Sequence, residues 1–262
     1  MKKLVLLFTV LSLIVLSCSS DDSNSSEDKS VLPKTISYIY PSIYLGTNTK
    51  STLTYNGNKI VSSTDEDSKT IFTYTGDLIT KQEVFDIDDQ GKETKTDEAV
   101  YTYENGKLKT RIFKENITAQ YPDGEYIVKV VYTHASNESI SYVNYSVDKN
   151  SKVELKTSEG VLTYKDGNLI KEQNTNSSGT SSRDYEYDGK NNPLKNIQGF
   201  NQLLNEISDI GRGNVVKTTF KPSGSSTATY LTTYIYNDKN FPTKHTSYAG
   251  NGSIEYEIEY TY

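Results

Sequence analysis

From Thr54 onward the chain alternates between polar and apolar or aromatic positions with a period of two. The last stretch places Ile254, Tyr256, Ile258, Tyr260 and Tyr262 on one face, with Glu255, Glu257, Glu259 and Thr261 on the other. Val100-Tyr101-Thr102-Tyr103 and Asp184-Tyr185-Glu186-Tyr187 repeat the pattern in shorter form. Strict alternation predicts strands of a sheet with one buried and one wet face.

The strands are punctuated by a recurring phrase: a tyrosine, a Gly/Asn/Asp turn, Lys or Asn, then an aliphatic residue. It reads Tyr55-Asn-Gly-Asn-Lys-Ile60, Tyr74-Thr-Gly-Asp-Leu-Ile79 and Tyr103-Glu-Asn-Gly-Lys-Leu108. It returns at Tyr164–Ile170, Tyr187–Asn192 and Tyr236–Phe241, with a looser copy at Tyr145–Asn150. Asn-Gly and Asp-Gly supply the positive φ that tight hairpin turns demand. A second set of polar breaks, such as Asp65–Ser68, Asp88–Gly91 and Gly250–Gly252, falls between these turns. The expectation is an all-β, antiparallel meander of hairpins forming a long wound or barrel-like sheet.

One segment breaks the rhythm. Leu194, Ile197, Phe200, Leu203, Leu204 and Ile207 recur at three- and four-residue steps. Asn192 suits an N-cap, Pro193 the first helical position and Gly211 a stop. A short helix near 193–209 is expected, its apolar side plugging or capping an end of the sheet.

Composition changes how such a sheet can be held together. Leu, Ile, Val and Phe make up about one fifth of the residues after Cys18, near the edge below which chains fail to fold. The 22 tyrosines compensate, because each ring can be buried while its hydroxyl stays hydrated or paired. They read as the core face of a thin sheet; exposed and clustered, they would instead form a platform for sugar or peptide. A single Cys excludes a disulfide scaffold and a cysteine-rich metal site, and 28 basic against 34 acidic side chains exclude a nucleic-acid surface.

The N-terminus reads as an address. Met1-Lys2-Lys3 precedes a 13-residue apolar stretch, Leu4 to Leu16, too short to span a bilayer but right for a secretory signal. Val15-Leu16-Ser17-Cys18 resembles a bacterial lipobox, which implies that residues 1–17 are a signal peptide and that Cys18 is acylated on its thiol and amine. The alternative is an ordinary signal peptide with a chance Cys. Ser19 to Ser30 has no apolar residue, so 18–32 is expected to be an acylated, disordered acidic tether. Residues 33–262 are expected to form a single β-repeat domain. The run Ser19-Ser20-Asp21-Asp22 resembles the acidic export tag of Bacteroidetes surface lipoproteins; a plain acidic linker reads the same way.

The tyrosine phrase resembles the tyrosine–aspartate (YD) repeats of the RHS family, whose hairpins stack into long wound sheets. Lipobox, tether and degenerate repeats together are similar to a group of uncharacterised Bacteroidetes lipoproteins with a porin-like or RHS-like sheet. The resemblance covers about residues 50–262. Every copy lacks part of the full RHS consensus and the spacing is uneven, so only architecture is implied, and no RHS activity.

Candidate chemistry is sparse. Asp86, Asp88, Gln90, Gly91 and Asp97 match a calcium-loop spacing at positions 1, 3, 5, 6 and 12. Glu93 stands where such loops want an apolar residue, position 12 is Asp in place of Glu, and a plain hairpin turn explains the same residues. His134 and His245 have no second ligand at metal spacing, and neither a nucleophile elbow nor a phosphate cradle occurs. No cofactor is expected. The leading expectation is a non-catalytic lipoprotein at the outer membrane, held by acyl chains on Cys18, that serves as a structural module or binds a glycan or protein ligand. A transmembrane β-barrel and a secreted glycan hydrolase are the alternatives.

Overall fold

The computed structural model describes residues 30–207 and 211–262. Cys18, the signal segment and most of the tether lie outside the described residues, as do the last residues of the expected helix.

Sixteen strands form among the described residues. The first eight are β1 (Thr35–Ile39), β2 (Thr49–Asn56), β3 (Lys59–Thr64), β4 (Ser68–Thr75), β5 (Leu78–Ile87), β6 (Glu93–Glu104), β7 (Lys107–Glu115) and β8 (Tyr126–His134). The rest are β9 (Ser139–Val147), β10 (Glu154–Lys165), β11 (Asn168–Asn176), β12 (Gly179–Tyr187), β13 (Val215–Lys221), β14 (Ala228–Tyr236), β15 (Pro242–Tyr248) and β16 (Ile254–Thr261). Each pairs antiparallel with its sequence neighbours, and β1 pairs with β16 through Thr35↔Thr261 and Ser37↔Glu259, closing the barrel. Of the two expected forms of the sheet, the barrel is the one adopted.

All six full copies of the tyrosine phrase turn at the same pole, where β1 begins and β16 ends. The looser copy at Tyr145 lies at the opposite pole. Asn105 and Gly106 both take positive φ in their turn, as the Asn-Gly signal predicts. A register shift falls at the tyrosine of every full copy: Thr54/Tyr55, Thr73/Tyr74, Thr102/Tyr103, Thr163/Tyr164, Glu186/Tyr187 and Ile235/Tyr236. Such bulges increase local twist and bend the strand, which helps a sheet of short strands to close.

At Tyr103 and Tyr187 the bulge also gives the phrase tyrosine a task. The β5–β6 ladder reaches only as far as Lys81↔Val100, so the Ile79 carbonyl has no partner across it. Tyr103 Oη donates to that carbonyl at 2.7 Å. Tyr187 serves Leu169, Tyr234 serves Val215 and Tyr262 serves Pro242 in the same way, at 2.8–2.9 Å. At β8, His134 Nε2 meets the Leu108 carbonyl at 2.8 Å. Turns join alternate strand pairs at this pole, and these side chains staple the pairs that no turn joins.

The expected helix is present as a shorter, broken element. A 3-10 helix spans Phe200–Glu206, preceded by turns from Asn192, whose Oδ1 accepts the Leu194 N–H at 2.9 Å as an N-cap would. Gly199 has φ of 88° and Leu204 has φ of 57°, so the segment cannot continue as one α-helix. It enters the barrel from the tyrosine pole and plugs it. Tyr74 Oη donates to the Gln198 carbonyl, Gln198 N–H to the Asn58 carbonyl, and Asn196 Nδ2 to the Val31 carbonyl.

Candidate functional site

A barrel of roughly 16 strands ordinarily encloses an aqueous channel. Here the plug fills one side of it. The buried core runs from Leu53 through Ile79, Leu108, Tyr132 and Leu162 to Leu169, packed on Ile197, Phe200, Leu203 and Leu204 of the plug. None of its buried members comes from β12–β16.

The plug is fixed to the filled side by a buried charge contact. Glu206 accepts a hydrogen bond from Tyr132 Oη, and Arg111 Nε stands 3.0 Å from Glu206 Oε2, off the hydrogen-bond axis. Burial pushes the Glu206 carboxyl above its ordinary range, although Arg111 and the Tyr132 hydrogen bond pull the other way. The Arg111 guanidinium also lies over the Phe113 ring at 4.6 Å.

The other side is hollow. One cavity of about 320 Å³ lies between the plug and β11–β13, lined by Glu172, Arg183, Tyr185 and Asn205 among others. A second, of about 330 Å³, lies under β13–β16 against Phe220, Tyr230, Tyr234, His245 and Tyr256. Arg183 and Val215 line both. The Arg183 guanidinium lies over the Phe220 ring at 4.9 Å and forms no ion pair among the described residues. Glu172 is its direct partner in the β11–β12 ladder, yet Glu172 Oε1 accepts from Tyr142 Oη at 3.1 Å and Asn205 Nδ2 at 3.4 Å instead. His245 sits between the rings of Tyr234 and Tyr256 at 5.1 and 5.6 Å, and burial lowers its pKa to about 4.

The outer wall has the opposite chemistry. Residues that alternate with the lumenal set carry Lys81, Glu83, Lys95, Glu98 and Lys114 in one ion-pair network, with contacts of 2.5–3.2 Å. Lys129–Glu154, Lys217–Glu186, Lys221–Asp184 and Lys244–Glu257 continue it around the barrel. Val100, Ile112, Val131 and Val143 also face outward, but Lys81, Lys129 and Thr110 stand beside them in the ladders. A membrane-spanning barrel needs an outward apolar band about 25 Å tall; on this wall the exposed apolar side chains, Val61, Val161, Leu231 and Ile235 among them, are interspersed with the ion pairs. No helix among the described residues is long and apolar enough to cross a membrane, which leaves strands aside.

The calcium-spaced residues are not gathered. Asp88 Oδ1 accepts the N–H groups of Gln90 and Lys92 at 3.0 and 2.9 Å, closing a hairpin turn. Asp86 faces Ser68 and Thr94 across the ladders, Gln90 is exposed, and Asp97 Oδ1 accepts the Asn116 N–H at 3.2 Å. Among the described residues no three His, Cys, Asp or Glu side chains converge as a metal site. The tyrosines largely face inward, with Tyr101, Tyr132 and Tyr142 buried. Neither Arg183 nor its cavities carried a motif; the available signal was the absence of Leu, Ile, Val and Phe from residues 171–190.

No family model and no curated protein sequence matches the chain. Its fold is similar to a porin-like protein from Bacteroides vulgatus, with TM-score 0.60 and 15% identity, covering 88% of this chain and 98% of that one. It is also similar to a porin-like protein from Bacteroides uniformis, with TM-score 0.52 and 10% identity, covering 87% and 97%. At these identities the likeness is one of architecture: an all-antiparallel closed β-barrel.

Proposed function

We propose that this chain is a non-catalytic lipoprotein of the outer membrane, surface-exposed, whose barrel stands in water as a ligand-binding module. The observation that carries this reading is the polarity of the wall, with ion pairs outside and tyrosines and aliphatics inside. Exposed ion pairs add at most about 1 kcal/mol each to stability, but burying such a wall in hydrocarbon would strand every charge. The lipobox at Cys18 supplies the membrane attachment that the wall does not. Val31 is buried at the plugged pole, so acyl chains on Cys18 would hold that pole toward the membrane and turn the open pole away.

The closed barrel and the porin-like neighbours favour one competing reading, a barrel inserted in the membrane. Two measurements separate them. Palmitate should label the full-length chain and not Cys18→Ser, and residues 19–262 should remain folded and monodisperse without detergent. Label retained on Cys18→Ser overturns the lipid anchor, and a barrel that holds its β-spectrum only in detergent overturns the water-facing wall.

A further inference from the structure

We propose that the hollow side of the lumen binds a small carboxylate carried on a hydroxylated ring, a sugar acid, with Arg183 as its anchor. The inference rests on the reading of the barrel as a binding module and supplies the class of ligand.

Arg183 is the junction of the hollow side. It lines the cavities of about 320 and 330 Å³ and a third of about 220 Å³ beside Asn174 and Ser181. The two larger spaces each fall at the lower end of the range of small-ligand pockets, roughly 300–1,000 Å³. The guanidinium lies on the Phe220 ring, remains exposed, and has no carboxylate within ion-pair distance among the described residues. The ring contact anchors the group, and its N–H fork matches the two oxygens of a carboxylate.

The surroundings specify what the carboxylate is carried on. Beyond Phe220, Tyr230 and Tyr234 face the same space, with Thr218, Thr232 and Ser247 on the adjoining rungs of β13–β15. Glu255 accepts from Ser247 Oγ at 3.4 Å, and His245 Nε2 is buried with no hydrogen-bond partner. Aromatic faces suit the apolar face of a sugar ring. Its hydroxyls would donate to Glu255 and exchange hydrogen bonds with Thr218 and Thr232. A plain aromatic acid leaves those polar groups unpaired, which is a strong basis for discrimination. Glu172 beside Arg183 and Glu255 in the lining of the second cavity add negative charge, which disfavours a doubly charged ligand such as a phosphate.

Calorimetric titration of the full-length chain with glucuronate, glucose and benzoate tests this. Glucuronate should bind more tightly than either control by about tenfold or more, and Arg183→Gln should weaken it by at least about tenfold. Thr232→Phe, which fills the ring side of the cavity and leaves Arg183 in place, should abolish binding. Arg212→Gln, whose side chain lies beside Gly167 at the plugged pole, should leave it unchanged. The inference is overturned if glucuronate gives no heat, if glucose or benzoate binds as well, or if Arg183→Gln retains full affinity. Those outcomes leave the water-facing, lipidated barrel standing; a detergent-dependent barrel removes the parent reading instead.

Discussion

The filled side of the barrel, β2 to β10, and the hollow side, β11 to β16, are built from the same hairpin phrase and differ in what faces inward. On the filled side Ile60, Ile79, Leu108, Ile140 and Leu162 meet the plug. On the hollow side the corresponding wall carries Glu172, Asn174, Arg183, Thr218, Thr232 and Ser247. The two lumenal arginines compress the contrast into one pair. Each lies on a phenylalanine ring, at 4.6 Å for Arg111 and 4.9 Å for Arg183. Among the described residues the plug brings Glu206 to Arg111 and no acid to Arg183. One cation is therefore part of the scaffold, and the other is available.

This difference predicts the largest effect. Arg111→Ala leaves the Glu206 carboxylate buried without a counter-charge, which should cost roughly 3 kcal/mol. Uptake of a proton by Glu206 caps the loss, since its carboxyl is already pushed upward. Arg183→Ala removes only an arginine–ring contact and should cost less than about 1 kcal/mol. Urea unfolding of both variants at neutral pH measures the two costs. Equal losses would mean that Arg183 is also a structural cation and that the hollow side is not functionally distinct.

The sheet was legible because its information is local. The alternation from Tyr256 to Tyr262 turns Ile258 inward, where it is buried, and Glu257 and Glu259 to the outer wall, opposite Thr246 and Lys244; the register shift at Ser247/Tyr248 breaks it before Tyr256, so that Glu255 lines the lumenal cavity. Closure was open between two forms, because pairing Thr35 with Thr261 depends on the summed twist and stagger of all the strands. The plug followed its apolar spacing only in part. Gly199 has the wall itself against it, since a Cβ there would stand 3.1 Å from Ile79 Cγ1 and 3.2 Å from the Asp77 carbonyl. Those contacts come from residues more than 100 positions away, so an α-helical period could not foretell the break. The inward tyrosines were readable as buried rings, but the carbonyls that receive their hydroxyls exist only where neighbouring ladders stop short. Arg183 has no motif because its environment is assembled across β11–β16.

Acid should separate the two sides by sign. Burial lowers the His245 pKa to about 4, whereas the unfolded chain holds an ordinary histidine near 6.5. Between those values the unfolded state binds a proton that the native state refuses. The contribution is complete above about pH 6.5 and is lost as pH falls toward 4, amounting to about 3 kcal/mol at most. Glu206 acts in reverse, because its native carboxyl keeps a proton that the unfolded chain releases. Its contribution is complete below the ordinary carboxylate range and is lost as pH rises through the raised value. In denaturation midpoints from pH 7.5 to 4, His245→Phe should lose less stability than the parent chain. Parallel curves would mean that the imidazole is solvated, and the cavity under β13–β16 would then be open water.

The smallest predicted effect tests the tyrosine staples, which both sides share, against Tyr164, whose hydroxyl finds no acceptor. Tyr103 donates to the Ile79 carbonyl, which the β5–β6 ladder leaves free. Tyr103→Phe strands that carbonyl and should cost about 1 kcal/mol. Tyr164 occupies the same place in its phrase, but the β9–β10 ladder runs on to Ser139↔Thr163, and Tyr164 N–H is itself bound to the Glu138 carbonyl at 2.8 Å. The Tyr164 hydroxyl is thus buried without a partner. Tyr164→Phe removes a desolvated donor and no hydrogen bond, so it should be neutral or stabilise by up to about 1 kcal/mol. The two substitutions delete the same atom from the same phrase, and opposite signs in urea midpoints would trace the difference to ladder length alone. Equal losses would show that the ring, and not the hydroxyl staple, is why tyrosine stands before each turn.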